Sequence, residues 1–330
     1  MVIAVAAVEY GVIPFVVRTR SEISVLDQVA WPLLVVAVLA EIASLAAYTR
    51  LTQTLLDPSD RLRFAIQWRI DVTGYGLSHA VPGGGATAAG LRVGLMVDRD
   101  IAASTALALT VVQLALSVIG LMMVWLLGLL MVVPHTGFTA TTVALLLTTS
   151  VVLAALEAAP HQAGVPPALR RLGSTTVHAL VPRRWREAVH DALVSGARWL
   201  REPRVTRRGV AWGGANWLLD AVCLWLCLRA FGAAVPVELV LATYGLVNMV
   251  AMLPLTPGGI GIVEGLLIPA MAAAGAPAGA ALAGVLTWRL LQFWLPIPAG
   301  ALCWTTLVAH RHRGGSVSGG PVHEDVGDDR

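Results

Sequence analysis

The sequence predicts an all-α integral membrane protein, and three observations support this fold class. Hydrophobic residues make up 57% of the 330 residues, and the mean hydropathy is +0.74. Charged residues make up only 13%, about half the share of an ordinary soluble domain. The apolar residues also lie in stretches of about 20, the length that crosses a bilayer as a helix. We predict a polytopic membrane domain over residues 1–308 and a disordered, acidic tail over 309–330.

The apolar stretches predict about eight transmembrane helices. Charged residues bound the first two: Arg18 and Arg20 follow the first, and Asp27 and Arg50 flank the second. Pro32 falls in the first turn of the second helix, where proline is tolerated. The predicted spans are residues 1–17, 29–48, 103–133, 139–157, 210–230, 237–253, 259–275 and 281–308.

The segment between the second and third spans is not predicted to cross the membrane. Residues 50–63 are predicted to be a polar loop. Residues 64–91 carry Arg69, Asp71 and His79 and contain Pro82-Gly83-Gly84-Gly85, which is too polar and too broken for a lipid-facing helix. Irregular backbone at membrane depth occurs only where protein or a water-filled cavity surrounds it. We therefore predict a re-entrant hairpin here.

A large polar loop is predicted over residues 158–209, with ten arginines. We expect a protein of the inner cell membrane. Because cytoplasmic loops are enriched in basic residues, we expect this loop and both termini to lie in the cytoplasm. Within the loop, Trp185, Val189, Ala192, Gly196 and Trp199 follow a helical spacing. This pattern fits either an interfacial amphipathic helix or a solvated connector helix.

Several function classes have no support in the sequence. There is no soluble basic domain that would bind nucleic acid, and no G-x-S-x-G, His-Glu-x-x-His or P-loop motif. Cys223, Cys227 and Cys303 lie in apolar stretches and are interpreted as small buried residues. We expect no enzymatic activity, no cofactor and no metal site.

Two Pro-Gly-Gly segments stand out. VPGGGATAAGL (81–91) aligns without gaps on TPGGIGIVEGL (256–266), which suggests an internal repeat. Proline suits the first turn of a helix, and glycine lets other atoms approach the backbone closely. The free N–H groups of such a helix start favour an anion. A plain kink or tight turn is the alternative for either segment, and the presence of both favours a site.

Charged residues inside the predicted spans are further candidates, because ionisable groups are costly there. Glu264 follows the second Pro-Gly-Gly segment, Arg289 has Gln292 on its helix face, and Asp220 lies in an apolar span. They either line a polar cavity for a lipid headgroup, or Glu264 and Arg289 form a structural ion pair. Glu41 is expected near a span end. The residues predicted to bind substrate are Pro82, Gly83, Gly84, Arg92, Asp220, Pro257, Gly258, Gly259, Gly261, Glu264 and Arg289.

These motifs resemble the lysylphosphatidylglycerol synthase transmembrane region, a flippase-like family of uncharacterised integral membrane proteins. The resemblance rests on PLTPGGIGIVEG (254–265), WRLLQFWLP (288–296) and WLLDAVCLWLCLRAFG (217–232), and more loosely on VPGGGATAAGLRVGLM (81–96). Many family members have an acidic residue soon after the first Pro-Gly, whereas this chain has none there. Bifunctional members also carry a soluble aminoacyl-transferase domain, so the resemblance implies the membrane half without lysyl transfer.

The resemblance implies a protein that translocates an anionic phospholipid or a polyprenyl-linked glycolipid, with membrane lipids as its partners. In this interpretation the Pro-Gly-Gly helix starts hold the phosphate, Arg289 provides a second anion contact, and Glu264 shapes or gates the site. The alternative is a non-transporting membrane scaffold for a glycosyltransferase or a lipid-modifying enzyme.

Overall fold

The structure is a computed structural model, and it describes residues 29–81, 84–136, 196, 199–252 and 257–315. These ranges are helical with short connecting turns and contain no strand. The main helices are α1 (Trp31–Leu55), α2 (Phe64–Ala80), α3 (Gly84–Val97), α4 (Ala103–Thr136), α5 (Pro203–Ala230), α6 (Val237–Ala251), α7 (Ile262–Ala273), α8 (Ala278–Arg289) and α9 (Pro296–Gly315).

The prediction of an all-α membrane protein is confirmed. Within the described ranges, four helical segments are long and apolar enough to cross a bilayer: Trp31–Leu55, Ala103–Pro134, Pro203–Ala230 and Ala278–Ala309. The predicted spans at 1–17 and 139–157, most of the arginine-rich loop, and the tail from residue 316 lie outside the described residues. The count of eight crossings therefore stays a prediction.

Helix α1 extends further than the sequence predicted. It runs to Leu55, so the polar loop covers 56–63 instead of 50–63. The physical reason is burial, since Leu51 and Leu55 are 0% and 2% exposed. The hydroxyl of Thr52 also donates a hydrogen bond to Asp71 of α2, so its polarity is satisfied inside the protein.

The long helices α1, α4 and α5 run through two apolar cores at opposite ends. The first cluster includes Leu51, Leu55, Ile70, Met96, Leu109 and Leu116. The second cluster includes Ala37, Leu121, Leu224, Leu241, Val285 and Trp288. Helices α1 and α5 are antiparallel neighbours, because the N–H of Ala30 donates to the carbonyl of Ala230 at 2.9 Å.

Helices α2 and α3 form a hairpin that starts and finishes at the same end of the long helices. Ile66 near the start of α2 and Met96 near the end of α3 both pack in the first cluster. The two helices contact each other, and at the end of the hairpin the N–H of Gly84 donates to the carbonyl of Val81 at 2.8 Å. This is the shape that the predicted re-entrant segment requires, while its depth in a membrane stays a prediction.

Helices α6 and α7 form a second hairpin, from the opposite end. Val235, which precedes α6, and Ala276, which follows α7, both pack in the second cluster. The two helices have 15 and 12 residues, fewer than the about 20 that a crossing needs. The sequence predicted two spans here, 237–253 and 259–275. The predicted sides of the termini are the same whether this pair of helices crosses twice or re-enters, because the two cases differ by an even number of crossings.

A layer of polar side chains separates the two apolar clusters. Asn216 of α5 donates to Ser44 of α1 at 2.8 Å, and the indole of Trp217 donates to Ser117 of α4 at 2.9 Å. We call these four residues, with Glu41 and Asp220, the polar layer. The expectation that Glu41 lies near a span end was wrong. Glu41 is near the middle of α1 and 5% exposed, because α1 begins at Trp31 and continues to Leu55.

Helices α4 and α5 approach closely where Gly120 meets Gly213 and Gly214. A Cβ at Gly120 would overlap the backbone of the two α5 glycines. Small residues at such crossings let membrane helices pack backbone to backbone. This crossing fixes α5, which carries Asp220.

Candidate functional site

Arg289, at the end of α8, is the centre of the candidate site. Its Nε donates to Glu264 Oε1 at 2.6 Å, and its Nη2 donates to the carbonyl of Gly258 at 3.2 Å. The side chains of Arg289 and Glu264 are only 4% and 14% exposed. We call these three residues, with Gly261, Gln292 and Tyr75, the Arg289 cluster. It joins the start of α7, the end of α8 and helix α2.

A π-helical turn over Leu290–Trp294 follows Arg289 directly. Such turns are rare and frequently mark functional sites. Gln292, inside the turn, accepts from Arg289 Nη1 at 3.3 Å and donates from its Nε2 to the hydroxyl of Tyr75 at 2.8 Å. The turn therefore connects the guanidinium group to the α2–α3 hairpin.

The second Pro-Gly-Gly segment forms a tight turn that only glycine accommodates easily. Gly258, Gly259 and Gly261 have φ values of 58°, 69° and 84°. A Cβ at Gly258 would also overlap the Phe293 ring. The turn thus presents the Gly258 carbonyl to Arg289 and starts α7 with its N-terminus towards the cluster.

Glu264 holds this helix start in two ways. Its Oε2 accepts from the N–H of Gly261 at 2.7 Å, while its Oε1 accepts from Arg289. A carboxylate near the N-terminus of a helix is stabilised by the helix dipole. Glu264 therefore occupies the position that the sequence predicted for a bound anion.

Aromatic rings of α2 and of the π-helical turn pack beside the cluster. The Phe293 ring centroid lies 4.5 Å from the Arg289 guanidinium carbon and 4.5 Å from the His79 ring. His79 also contacts Tyr75, and its buried Nδ1 has no hydrogen-bond partner. The last turn of α2 therefore reaches the second Pro-Gly-Gly segment, close to Gly84. Pro82 and Gly83, also predicted to bind substrate, lie outside the described residues.

Asp220 lies beside the cluster but does not contact Arg289 directly. It is 3% exposed and accepts from the Tyr244 hydroxyl and from the Trp288 indole, both at 2.6 Å. Since Trp288 precedes Arg289 on α8, one helix segment carries contacts to both Asp220 and Glu264.

Arg92 lies in a different cluster, in the half of the molecule that contains the first apolar core. Its Nη2 donates to Asp71 at 2.7 Å and to Gln113 at 2.8 Å. Thr52 and Gln67 also donate to Asp71. The Arg92 and Asp71 side chains are 7% and 1% exposed, so this network is closed within the bundle.

The described residues contain no group of three or more His, Cys, Asp or Glu side chains placed to hold a metal ion. What the arrangement offers chemically is a buried cation with a carboxylate partner at a helix break. Such a pair suits reversible binding of an anion, because the guanidinium group can exchange a carboxylate for another oxyanion such as phosphate.

Comparison with known proteins decides the family. The model of the lysylphosphatidylglycerol synthase TM region matches residues 1–300. The chain belongs to this family. Two proteins of Methanothermobacter thermautotrophicus, each named UPF0104 membrane protein, are similar to it. One is 29% identical over 118 residues, which is 36% of this chain and 35% of the relative. The other is 29% identical over 86 residues, 26% of this chain and 24% of the relative.

The matched part of the chain therefore covers about a third of the length of the first relative and about a quarter of the length of the second. For this member of the lysylphosphatidylglycerol synthase TM region family, sequence reasoning found Glu264, Arg289 and Gln292, which lie together. It missed Tyr75 as a contact. Tyr75 and His79 are one helical turn apart just before the first Pro-Gly-Gly segment, a spacing that predicts contact between these two side chains but not with Gln292.

Proposed function

We propose that this protein translocates a lipid with an anionic headgroup, either a phospholipid or a polyprenyl-linked glycolipid. The observation that carries the proposal is the buried guanidinium of Arg289, held between Glu264 and the Gly258 carbonyl at a helix break. Broken helices that bring their termini to a site between repeats are a recurring transporter design. Family membership supports a membrane role, and the substrate and the transport activity are our proposal.

In this proposal Arg289 binds the headgroup phosphate and Glu264 neutralises Arg289 when no lipid is bound. A phosphate that enters displaces the Glu264 carboxylate from the guanidinium and from the start of α7. The site then alternates between an internal and an external anion, so Arg289 never remains unpaired. This exchange matters because an unpaired buried charge is strongly destabilising.

We further propose that the end with the first apolar cluster faces the cytoplasm of a cell with an inner membrane. Turns at this end carry Arg61, Arg63 and Arg99, and the start of α5 adds Arg204 and Arg207. The excess of arginine at one end agrees with the rule that basic residues stay on the cytoplasmic side.

The test is translocation of fluorescent phosphatidylglycerol in vesicles that contain the purified protein. Replacing the pair by Glu264→Gln/Arg289→Gln should reduce the translocation rate about tenfold or more, because the anion contact is lost. The matched control is Asp71→Asn/Arg92→Gln, which removes the other buried ion pair and should leave the rate near that of the wild type if the variant folds. Equal rates for wild type and the Glu264/Arg289 variant would contradict the site.

A scaffold role predicts a different outcome from the same variants. If the protein recruits a glycosyltransferase or a lipid-modifying enzyme, that partner should co-purify equally with the wild type and with the Glu264/Arg289 variant. Labelled lipid would then stay in its original leaflet in both preparations.

A further inference from the structure

Two acidic side chains meet inside the polar layer, away from the contacts of the Arg289 cluster. Glu41 of α1 and Asp220 of α5 are 5% and 3% exposed. The antiparallel register of α1 and α5, set by the Ala30–Ala230 and Ser44–Asn216 hydrogen bonds, places Glu41 against Asp220. Neither residue has a role in the anion exchange described above. Acidic residues in the interior of membrane helices frequently belong to proton pathways.

The hydrogen-bond donors at this pair serve Asp220 and leave one oxygen of Glu41 without a donor. Both Asp220 oxygens accept, Oδ1 from Trp288 and Oδ2 from Tyr244. Glu41 Oε2 has no hydrogen-bond partner. Ionised carboxylates only accept hydrogen bonds, and two like charges in contact disfavour joint ionisation. A proton on Glu41 supplies the missing donor and leaves one negative charge on Asp220.

Among the residues that the structure describes, no second cation faces the pair to balance a second charge. The groups that face the pair are Cys223 and Cys227 on α5, Tyr244 on α6, Tyr75 on α2 and Arg289 on α8. Arg289 is the only cation among these named neighbours, and it is paired with Glu264. Within the described ranges, no ion pair to Glu41 or Asp220 is present.

We propose that Glu41 and Asp220 form a proton-binding site that drives the lipid exchange at Arg289. The Glu41 O–H donates to the Asp220 carboxylate, and release of this proton to water leaves two carboxylates. The added negative charge lies beside Trp288, next to Arg289, and attracts the guanidinium that an anionic headgroup needs. Loss of the proton therefore disfavours headgroup binding, and gain of the proton favours it, so that proton and headgroup bind together. Because such coupling is reciprocal, lipid binding also favours protonation.

The coupling part of this inference rests on the proposed lipid translocation, whereas the proton site can be tested without it. Infrared absorption of the purified protein at about pH 7 should show a protonated-carboxyl band, although a free Glu is ionised there. Glu41→Gln should remove the band. Glu202→Gln, at an exposed position just before α5, is the control and should leave the band unchanged. Absence of the band from the wild type, or its persistence in Glu41→Gln, would overturn the proton site.

Coupling is measured in vesicles that hold labelled phosphatidylglycerol equally in both leaflets. A gradient of about one pH unit should enrich the label on the alkaline side, by up to about tenfold for one proton per lipid. Glu41→Gln should keep the two leaflets equal. If wild-type lipid moves without responding to the gradient, the coupling is refuted and the translocation stands. If the infrared band is present and no lipid moves under any condition, the translocation is refuted and the proton site stands.

Discussion

At the scale of single residues, Gly258 meets two requirements of the second Pro-Gly-Gly turn. Its φ of 58° is in the left-handed region, and the Phe293 ring fills the space of a Cβ. The ring also contacts the Arg289 guanidinium, so any shift of the ring disturbs the cluster. Position 258 therefore ties backbone conformation to the geometry of the charged site.

Replacement Gly258→Ala is expected to destabilise the protein by about 1–3 kcal/mol from backbone strain and by about 1–3 kcal/mol more from overlap with Phe293. The control is Gly232→Ala, where φ is also positive at 81° but no atom lies within 4 Å of a Cβ. The measurement is the free energy of unfolding in detergent. Equal losses at the two positions would show that the Phe293 contact is unimportant.

The Glu264–Arg289 ion pair predicts strong non-additivity. Arg289→Gln leaves a carboxylate that is 14% exposed without its cation, and such changes typically cost about 3–5 kcal/mol. Glu264→Gln/Arg289→Gln should cost clearly less than the sum of the two single changes, since no unpaired charge remains. The double-mutant cycle is measured by denaturant unfolding. Additive losses would argue against a direct ion pair.

The sequence was informative about which residues gather at Arg289 and less so about their partners. Glu264, Arg289 and Gln292 were recognised because charge inside an apolar span is conspicuous. Glu41 was misplaced, since polar residues after Tyr48 suggested a helix end while burial by α2 keeps α1 helical. The contact of Tyr75 with Gln292 joins residues from distant parts of the chain, and helix periodicity contains no information about that distance.

At the scale of elements, the α4–α5 crossing depends on Gly120. Gly120→Leu should force these helices apart and destabilise the protein by about 1–3 kcal/mol or more, because its side chain would overlap the backbone of Gly213 and Gly214. Gly94→Leu on α3 is the matched control, as a Cβ there meets no atom within 4 Å. Melting temperature and the fraction of monodisperse protein are the readouts. Similar values for the two variants would contradict the close crossing.

The two hairpins show where apolar pattern predicts elements well and where it does not. The polarity of residues 64–91 and their Pro-Gly-Gly break predicted a hairpin, and α2 and α3 pack as one. The stretch 237–275 is mainly apolar, with Glu238 and Glu264 as its charged residues, so composition predicted two crossings. Composition does not state where a helix stops, and the glycine turn at Pro257–Gly259 shortens both helices there.

At the scale of the whole molecule, apolar side chains cover the outside as well as the core. On α1, Trp31, Val35 and Leu39 are 70%, 59% and 58% exposed. They lie on one helix face, opposite the buried Ala37 and Ala40. A continuous apolar exterior of this kind is what a bilayer covers.

Site-directed labels should locate this exterior. In a variant without the native cysteines, a fluorophore at Leu39→Cys should be quenched by brominated lipid chains, because that face is apolar and 58% exposed. A fluorophore at Ser59→Cys, in the exposed turn after α1, should instead be quenched by water-soluble iodide. The opposite pattern would place α1 outside the membrane.

The meeting of the α2–α3 and α6–α7 hairpins has an electrical consequence. For a charged headgroup a bilayer is an insulating slab, and the cost of entry comes from leaving a medium of high permittivity. Helix α2 contacts the Pro257–Gly259 turn, so the two hairpins meet inside the protein. On the proposed path, a headgroup that follows either hairpin would leave the polar medium only over the length of this contact. In the translocation proposed here, the protein shortens the distance over which the headgroup charge would cross a medium of low permittivity. That distance would be only a small part of the bilayer's thickness.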